Sequence, residues 1–251
     1  MGKSSVIETI KYLLVVVEGK TDRTTFENAL RALVKKYCSN KDLEIDVVNG
    51  DTLVMDENGN IIPYNQEEET VSKQIGKTIK KLHLKASDIV AVAMLTDLDA
   101  CFASEEFFVE DASRDKAFYD QETNKCLRKN ITELKTIRQS KYNVVRKMHN
   151  KSHISIDGNQ IKYRLFYLNV DLEWVFYQLL NCTKLEKIQL SDDFDSMYGG
   201  DLDKFEAFIC ALPSVGSDFS SSWEPIINRT IAPMDILTNI KYLLDWIKNL
   251  S

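Results

Sequence analysis

Two stretches of the chain are continuously apolar, and acidic residues follow each of them at once. Residues 12–17 (YLLVVV) and residues 89–95 (IVAVAML) lack the polar alternation of a half-exposed strand. Continuous, partly β-branched runs of this length are typical of strands that are buried on both faces of a parallel sheet. The pattern therefore predicts an α/β protein built around two central strands.

Amphipathic segments around these runs predict the rest of a Rossmann-like sheet. Residues 21–37 predict a helix, because their apolar positions recur at helical spacing. Residues 43–48 (LEIDVV) return as a strand, which completes a βαβ unit with parallel strands. Residues 67–82 predict a charged helix. Residues 164–168 and 172–180 predict a further strand and helix.

The intervening segments predict two insertions in this sheet. Asn58-Gly59 lies between two β-prone runs in residues 53–64, and Asp157-Gly158 does so in residues 152–163, so each segment predicts a hairpin. Residues 104–140 are polar and helical in character. We therefore expect one catalytic domain over residues 1–180, with insertions at about 50–85 and 104–163.

The C-terminal part of the chain predicts a helical extension. Residues 181–251 are mixed in pattern and are expected to pack on the catalytic domain. Pro233 suits the first turn of a final helix, whose apolar stripe continues to Ile247. No linker separates this extension from the rest, so a single α/β domain with an appended helical region is the simplest organisation.

Composition narrows the class of protein. A chain of 251 residues can bury one substantial core. Five scattered cysteines without CxxC spacing predict reduced thiols in the cytoplasm and argue against a zinc site. No apolar run reaches the roughly 18 residues of a membrane span, so no membrane partner is expected. The net charge of -6 disfavours nucleic-acid binding by the surface as a whole, although residues 129–153 are rich in Lys and Arg.

The acids behind the two apolar runs predict a metal site. Glu18 and Asp22 follow the first run, and Asp97 and Asp99 follow the second. Ligands of open parallel sheets bind at the carboxyl ends of the strands, and residues two apart in a strand point the same way. With Leu98 turned to the core, both aspartates can aim at one point. Clustered carboxylates need a hard divalent cation, Mg²⁺ or Mn²⁺, which would polarise a phosphoryl oxygen.

The turn after the first run predicts a phosphate-binding position. Gly19 allows close approach of the backbone, and the start of the following helix offers free N–H groups. Lys20 or Arg23 could hold a phosphate oxygen. Asp22 has a second interpretation, since an acid in the first turn stabilises a helix electrostatically.

These motifs resemble a known family. VVVEGKTDRTTF, followed by a strand that ends in TDLDA, is similar to the Toprim domain of type IA topoisomerases, primases, OLD-family nucleases and ribosomal-RNA maturases. The resemblance implies a Toprim sheet flanked by helices. It implies that Glu18 is a metal ligand or general acid/base, and that Asp97 and Asp99 are metal ligands. Asp22 stands where some members carry a further acid.

Nuclease-type Toprim proteins often complete the site with a late acid and a lysine. The resemblance makes Glu173 the candidate acid, although it also suits the first turn of a helix that Asp171 or Asn169 would cap. Three lysines compete for the second role, and the sequence does not decide between them. Lys147 is retained as the catalytic candidate, and Lys151 and Lys162 are the alternatives.

Departures from the family select a subclass. The segment between Glu18 and Asp97 is longer than in compact members, and neither a topoisomerase tyrosine context nor a primase zinc module is found. The resemblance then implies a Mg²⁺-dependent endonuclease acting on DNA or RNA, in an anti-phage defence or toxin effector. GxxxxGK[ST] is absent, so any ATP-driven activation would come from a separate ATPase or sensor protein. Homo-oligomers are also expected.

Two other classes of function stay open. The acidic net charge and the insertions favour a catalytically silent Toprim-fold module that binds or regulates within a larger nucleic-acid-processing complex. A flavodoxin-like or receiver-like α/β protein would instead use its acids to hold Mg²⁺ for phosphoryl transfer. That interpretation requires an acceptor aspartate at a strand end and a downstream lysine.

Overall fold

A five-stranded mixed sheet lies at the centre of the computed structural model, which describes residues 11–38, 41–47, 54, 60–62 and 65–250. Its described strands and those of a second sheet are β1 (Lys11–Val17), β2 (Lys41–Val47), β3 (Ile89–Asp97), β4 (Phe108–Glu110), β5 (Phe118–Asp120), β6 (Lys125–Arg128), β7 (His153–Ile156) and β8 (Asn159–Leu168). The helices are α1 (Lys20–Tyr37), α2 (Glu67–Lys81), α3 (Ile131–Met148), α4 (Leu172–Tyr177), α5 (Lys184–Tyr198), α6 (Leu202–Ala211), α7 (Glu224–Ile227) and α8 (Lys241–Lys248).

The central sheet has the strand order β2-β1-β3-β8-β7. β2, β1, β3 and β8 are parallel, and β7 pairs antiparallel with β8. The hairpin predicted over residues 152–163 is confirmed as β7 and β8, with Gly158 at φ 79 in the turn. The fold is therefore α/β, an open mixed sheet flanked by helices, compatible with a Rossmann-like arrangement.

Both faces of the sheet are buried, as the continuous apolar runs predict. Leu13 and Val15 of β1 face one apolar core, and Leu14 and Val16 face another. α1, α5, α6 and α8 supply the first core, and α2 and α3 supply the second. The charged helix predicted at 67–82 thus covers a face of the sheet, with its apolar stripe turned inward. Pairing in a parallel sheet that is covered on both sides explains why these strands show no polar alternation.

A small three-stranded sheet occupies part of the segment predicted to be helical at 104–140. β4, β6 and β5 pair in that order, and α3 begins only at Ile131. Phe107, Phe108 and Tyr119 of this region pack with Ala100 and Val170, which lie in the loops behind β3 and β8. The small sheet therefore supports the carboxyl edge of the large one. Its strands are too short to show a periodicity in the sequence.

Two helix boundaries differ from those predicted. α4 ends at Tyr177, because Gln178 adopts a left-handed conformation with φ 58. The final helix begins at Lys241 rather than at Pro233. The segment between Pro233 and Lys241 contacts the end of β8 instead of forming a helix. The Thr238 hydroxyl donates to Tyr167 O at 2.6 Å, and the backbone of Thr238 forms a β-bridge with Leu168.

The predicted hairpin near Asn58, the cysteines and the membrane prediction remain to be compared with the structure. The hairpin predicted over 53–64 lies outside the described residues, apart from Val54 and residues 60–62, where Ile62 N donates to Val54 O at 2.9 Å. The five cysteines are free thiols. Within the described ranges, no helix has the length and apolar character needed to cross a membrane.

Candidate active site

Three neighbouring parallel strands end in acidic residues at one edge of the sheet. β1, β3 and β8 lie side by side, so their carboxyl ends meet where ligands of open sheets bind. The acids behind these strands are Glu18, Asp22, Asp97, Asp99, Asp171 and Glu173. Glu18, Asp22, Asp99 and Asp171 all act electrostatically on Asp97, which lies at their centre. We call these six residues the acidic edge.

A buried lysine links two of the predicted ligands. The Lys141 ammonium lies 3.3 Å from Glu18 Oε2 and 2.7 Å from Asp99 Oδ2, and the lysine side chain is 0% exposed. The Thr96 hydroxyl donates to the other carboxylate oxygen of Glu18. Glu18 is thus fixed from both sides. The structure brings it together with Asp99, as the strand ends predict.

Helix α3 supplies a second cation beside the first. Arg138 lies one helical turn before Lys141, and its Nη1 is 3.0 Å from Asp99 Oδ2. The same guanidinium donates from Nη2 to the Tyr119 hydroxyl at 3.4 Å. Burial alone would raise the pKa of Asp99, but Arg138 and Lys141 outweigh it and lower the pKa below its usual value. Asp99 is therefore held as a carboxylate.

Asp97 has the opposite environment, although only Leu98 separates the two aspartates. Burial raises the pKa of Asp97 well above its ordinary value, and the neighbouring carboxylates raise it further. Among the described residues, none forms an ion pair or hydrogen bond with its side chain. Asp97 therefore favours a proton or a cation from solution.

The loops behind β3 and β8 hold unusual backbone conformations. Asp99, Ala100 and Val170 have φ values of 50, 56 and 67, in the left-handed region that residues other than glycine seldom adopt. Two hydrogen bonds connect the loops, from Leu98 N to Leu168 O at 2.8 Å and from Asp99 N to Val170 O at 3.0 Å. The strand-like continuation predicted for Asp97-Leu98-Asp99 is wrong, because β3 ends at Asp97. Leu98 is nevertheless buried as expected. Strain of this kind concentrates at functional sites.

The turn after β1 is organised by Asp22. Its carboxylate accepts a hydrogen bond from Gly19 N at 2.8 Å, and a Cβ at Gly19 would lie 3.1 Å from that carboxylate. Gly19 thus permits a close approach to its backbone, but the group that approaches is the Asp22 side chain and not a phosphate. Burial raises the pKa of Asp22, while the Gly19 hydrogen bond opposes the rise. Asp22 both caps α1 and belongs to the acidic edge.

A second lysine neutralises the late acids. Lys187 of α5 lies 2.5 Å from Glu173 Oε2 and 3.4 Å from Asp171 Oδ2. Glu173 is buried, and Asp171 caps α4 by accepting a hydrogen bond from Trp174 N at 2.9 Å. Burial raises the pKa of Asp171 to about 6, against the lowering effect of Lys187. The structure therefore brings Glu173 to the acidic edge, but as one half of an ion pair.

The lysines proposed from the sequence lie elsewhere. Lys147 is exposed and lines a groove with α2 residues such as Lys73 and Lys77. Lys151 pairs with Glu68. Lys162 is exposed near the opposite end of the sheet, in register with Ala91 at the start of β3.

Lys141 and Arg138, and not the three lysines proposed from the sequence, contact the carboxylates of the acidic edge. One feature of the sequence could have identified them. They lie on the buried stripe of α3, whose members recur every three or four residues: Leu134, Arg138, Lys141, Val145 and Met148. A cation on an apolar helical stripe needs buried partners of opposite charge. Lys187 had no comparable signal, since α5 shows little amphipathic pattern.

The predicted phosphate-binding side chains lie at the rim. Lys20 is exposed at the start of α1. Arg23 lies along the same helix, with its Nε 2.7 Å from Glu27 Oε2. The structure therefore places both side chains on the first turn of the helix that follows Glu18, with Arg23 engaged by Glu27.

The carboxylates of the acidic edge are suitable ligands for a divalent cation, but their side chains are not arranged around one point. Across the described residues, no three His, Cys, Asp or Glu side chains converge closely enough to hold an ion as they stand. The Lys141 ammonium lies between Glu18 and Asp99 instead. The carboxylates still outnumber their cations Arg138, Lys141 and Lys187, and the Asp97 carboxylate accepts no hydrogen bond in the described structure. Hard oxygen donors with excess negative charge fit Mg²⁺ or Mn²⁺.

Comparisons with protein-family models, curated proteins and solved structures find no match to this chain. The chemistry of the acidic edge is therefore argued from its own residues.

Proposed function

We propose that the acidic edge is the active site of a Mg²⁺- or Mn²⁺-dependent nuclease that hydrolyses phosphodiester bonds in DNA or RNA. The observation that carries this proposal is Asp97, a half-buried carboxylate surrounded by other carboxylates that forms no ion pair or hydrogen bond with the described residues. Such a group is destabilising unless a ligand compensates for it, and perturbed acids of this kind cluster at functional sites.

The residues have distinct roles in this proposal. Asp97 would hold the ion together with Glu18 and Asp22, and the bound ion would polarise the phosphoryl oxygen. A water oxygen forms a bond to phosphorus, and the bond from phosphorus to one sugar oxygen breaks. The proton released by the water passes to the leaving oxygen. Lys141, held between Glu18 and Asp99, orients these carboxylates and offsets the charge that develops on the phosphate.

The finer identity of the protein belongs to the same proposal. The EGKTD and TDLDA motifs support a Toprim domain of the nuclease type, with Glu18 and the two aspartates at adjacent strand ends. A role as a defence or toxin effector, switched on by a partner protein, depends on that resemblance alone. The excess of carboxylates at the acidic edge supports the metal-dependent chemistry independently of that resemblance.

Cleavage assays with matched variants test the proposal. Purified protein with Mg²⁺ or Mn²⁺ is expected to cut labelled DNA or RNA, and Glu18→Gln or Asp97→Asn should reduce the rate at least about 100-fold, because each removes a charge that binds the ion. Asp88→Asn is the control, since Asp88 precedes β3 at the opposite end of the same strand. Equal cleavage by Asp97→Asn, Asp88→Asn and the wild type would end the proposal.

One observation favours a second function. No described group of ligands is preassembled for an ion, and Lys141 already neutralises two of the predicted ligands. A catalytically silent binding module would have this character, with Lys141 serving stability alone. Titration calorimetry with Mn²⁺ separates the two functions: binding that is lost in Asp97→Ala supports the enzyme, and no binding by the wild type supports the module.

A further inference from the structure

We propose that a basic pocket beside the acidic edge binds one unpaired nucleotide of a single-stranded nucleic acid, next to the bond that is cut. This inference rests on the proposed function and names its substrate class. The pocket has a volume of about 520 Å³ and lies between α3 and the loop that follows Asp99. Cys101 and Ala103 of that loop line it, together with Thr136 and Gln139 of the helix.

Arg138 joins the pocket to the acidic edge. Its side chain lines the pocket, and its Nη1 lies 3.0 Å from Asp99 Oδ2. A ligand in the pocket is therefore one side chain away from the carboxylates proposed to act on the phosphodiester. A strand that places one phosphate at the acidic edge can place its next nucleotide in the pocket.

The charge of the pocket is opposite to that of the acidic edge. Its described lining contains the cations Lys135, Arg138 and Arg229 and one acid, Glu105, whose Oε2 lies 3.6 Å from Lys135 Nζ. Arginine guanidinium groups match phosphate oxygens in geometry as well as in charge. An anionic ligand is thus favoured in the pocket and disfavoured beside Asp97 without a metal ion. Such a division of charge suits a chain of phosphates.

The remaining lining suits a nucleobase. Gln139 and Asn143 present side-chain amides, linked to each other by a hydrogen bond of 2.9 Å. Amides both donate and accept, as the edges of bases require. Ile62 and Phe108 add apolar surface. The volume lies within the ~300–1,000 Å³ range of small-molecule pockets, which accommodates one splayed nucleotide.

Arg229 is already oriented for this role. It has a left-handed backbone with φ 55, and its guanidinium lies 4.7 Å from the centre of the Tyr142 ring. A residue other than glycine in this region carries a backbone cost that surrounding structure must offset. Arg146 contacts the same ring at 5.4 Å but does not line the pocket. The two arginines therefore form a matched pair for experiment.

Binding measured without catalysis tests the inference. Fluorescein-labelled 12-nucleotide single strands of DNA and of RNA are titrated with the full chain in EDTA, and fluorescence anisotropy is recorded at several salt concentrations. Arg229→Gln is expected to weaken binding about 5- to 10-fold and to reduce the slope of log K against log salt by about 0.7, the value of one phosphate contact on a single strand. Lys135→Gln should act in the same direction. Arg146→Gln should change affinity less than 2-fold.

A duplex of the same sequence provides the second arm. Single strands should bind at least about 10-fold more tightly than the duplex, since the Watson–Crick edge of a base is free to meet the amides of the pocket only when the base is unpaired. Equal losses in Arg229→Gln and Arg146→Gln, or equal binding of duplex and single strand, would overturn the inference. Failure of the proposed function looks different: the wild type would bind single strands through Arg229 and cut none of them with Mg²⁺ or Mn²⁺.

Discussion

The two halves of the buried stripe of α3 differ in their chemistry. The first half of the stripe contains Arg138 and Lys141, and the second half contains Val145 and Met148. All four side chains are buried. The first half faces the acidic edge, whereas Val145 and Met148 face the apolar core on the same side of the sheet. The helix therefore matches its buried surface to whatever lies opposite, and burial alone does not select apolar residues.

The difference has an energetic basis. An ammonium without partners in the apolar half would cost several kcal/mol through loss of hydration. In the first half, the carboxylates of Glu18 and Asp99 compensate Lys141 at 3.3 and 2.7 Å. Buried pairs of this kind are weak net contributors to stability compared with apolar packing, but removing one partner leaves a buried charge. The presence of these pairs is therefore better explained by the site than by the stability of the fold.

The largest effect is expected from Lys141→Met. This change leaves Glu18 and Asp99 without their shared ammonium, so the free energy of unfolding should fall by about 3 kcal/mol. Urea titrations monitored by circular dichroism measure the change. Lys147→Met is the control on the exposed side of the second half, and it should lie within about 0.5 kcal/mol of the wild type. Equal losses in the two variants would remove the distinction between the halves.

An effect of opposite sign is expected from Asp97→Asn. Burial and neighbouring carboxylates raise the pKa of Asp97, so its charged form destabilises the folded state at neutral pH. In EDTA the variant should be more stable than the wild type, since the amide carries no charge that burial and the neighbouring carboxylates penalise. Saturating Mg²⁺ should raise the Tm of the wild type and leave that of the variant unchanged.

Asp88→Asn provides the reference for this measurement. Asp88 accepts a hydrogen bond from Lys85 N at 3.0 Å at the other end of β3, remote from the acidic edge. Its variant should show no stabilisation in EDTA and the same Mg²⁺ response as the wild type. If Asp97→Asn were instead the less stable of the two, the carboxylate would have a compensating partner in solution.

The smallest effect is expected at the end of the second half of α3. Burial lowers the pKa of His149 below its ordinary value of 6.5, and its ring packs 5.6 Å from that of Trp223. As the pH falls through 6.5 towards the folded-state pKa, the unfolded chain takes up a proton first, so stability decreases. Between pH 7.5 and 5.5 this residue should account for less than about 1 kcal/mol.

Urea titrations at the two pH values measure that decrease. His149→Gln should show a smaller difference between pH 7.5 and 5.5 than the wild type. His153→Gln removes an exposed imidazole from β7 and controls for the loss of a histidine. An unchanged pH difference in His149→Gln would show that the ring is hydrated in solution, and the second half of α3 would then be less tightly packed than described.

Much of the fold could be predicted because the apolar positions in the sequence are the positions that are buried in the structure. The apolar runs of β1 and β3 indicate parallel strands covered on both faces, and α1 shows its buried stripe plainly. The meeting of Glu18 with Asp99 follows from the same pattern, since the carboxyl ends of adjacent parallel strands share one edge.

The remaining features depend on contacts between distant parts of the chain. Lys141 reaches Glu18 across 123 positions of sequence, and choosing it over Lys147 requires knowing which side of α3 is buried. The segment after Pro233 has the composition of a helix start, but it is held extended by bonds to the end of β8, such as that between Asn239 and Tyr167 N. Tertiary hydrogen bonds of this kind outweigh local preference.

The two hydrogen bonds between the loops behind β3 and β8 have a consequence for how this protein could be altered. Leu98 and Asp99 donate to Leu168 and Val170, so the loop that carries the central aspartates is fastened to the loop that leads to Asp171. Neither loop can be lengthened or exchanged without re-aiming the acids of the other. The two loops must therefore be changed together, both in protein design and in evolution by insertion. Substitutions on the α3 side of the basic pocket are a simpler way to alter specificity.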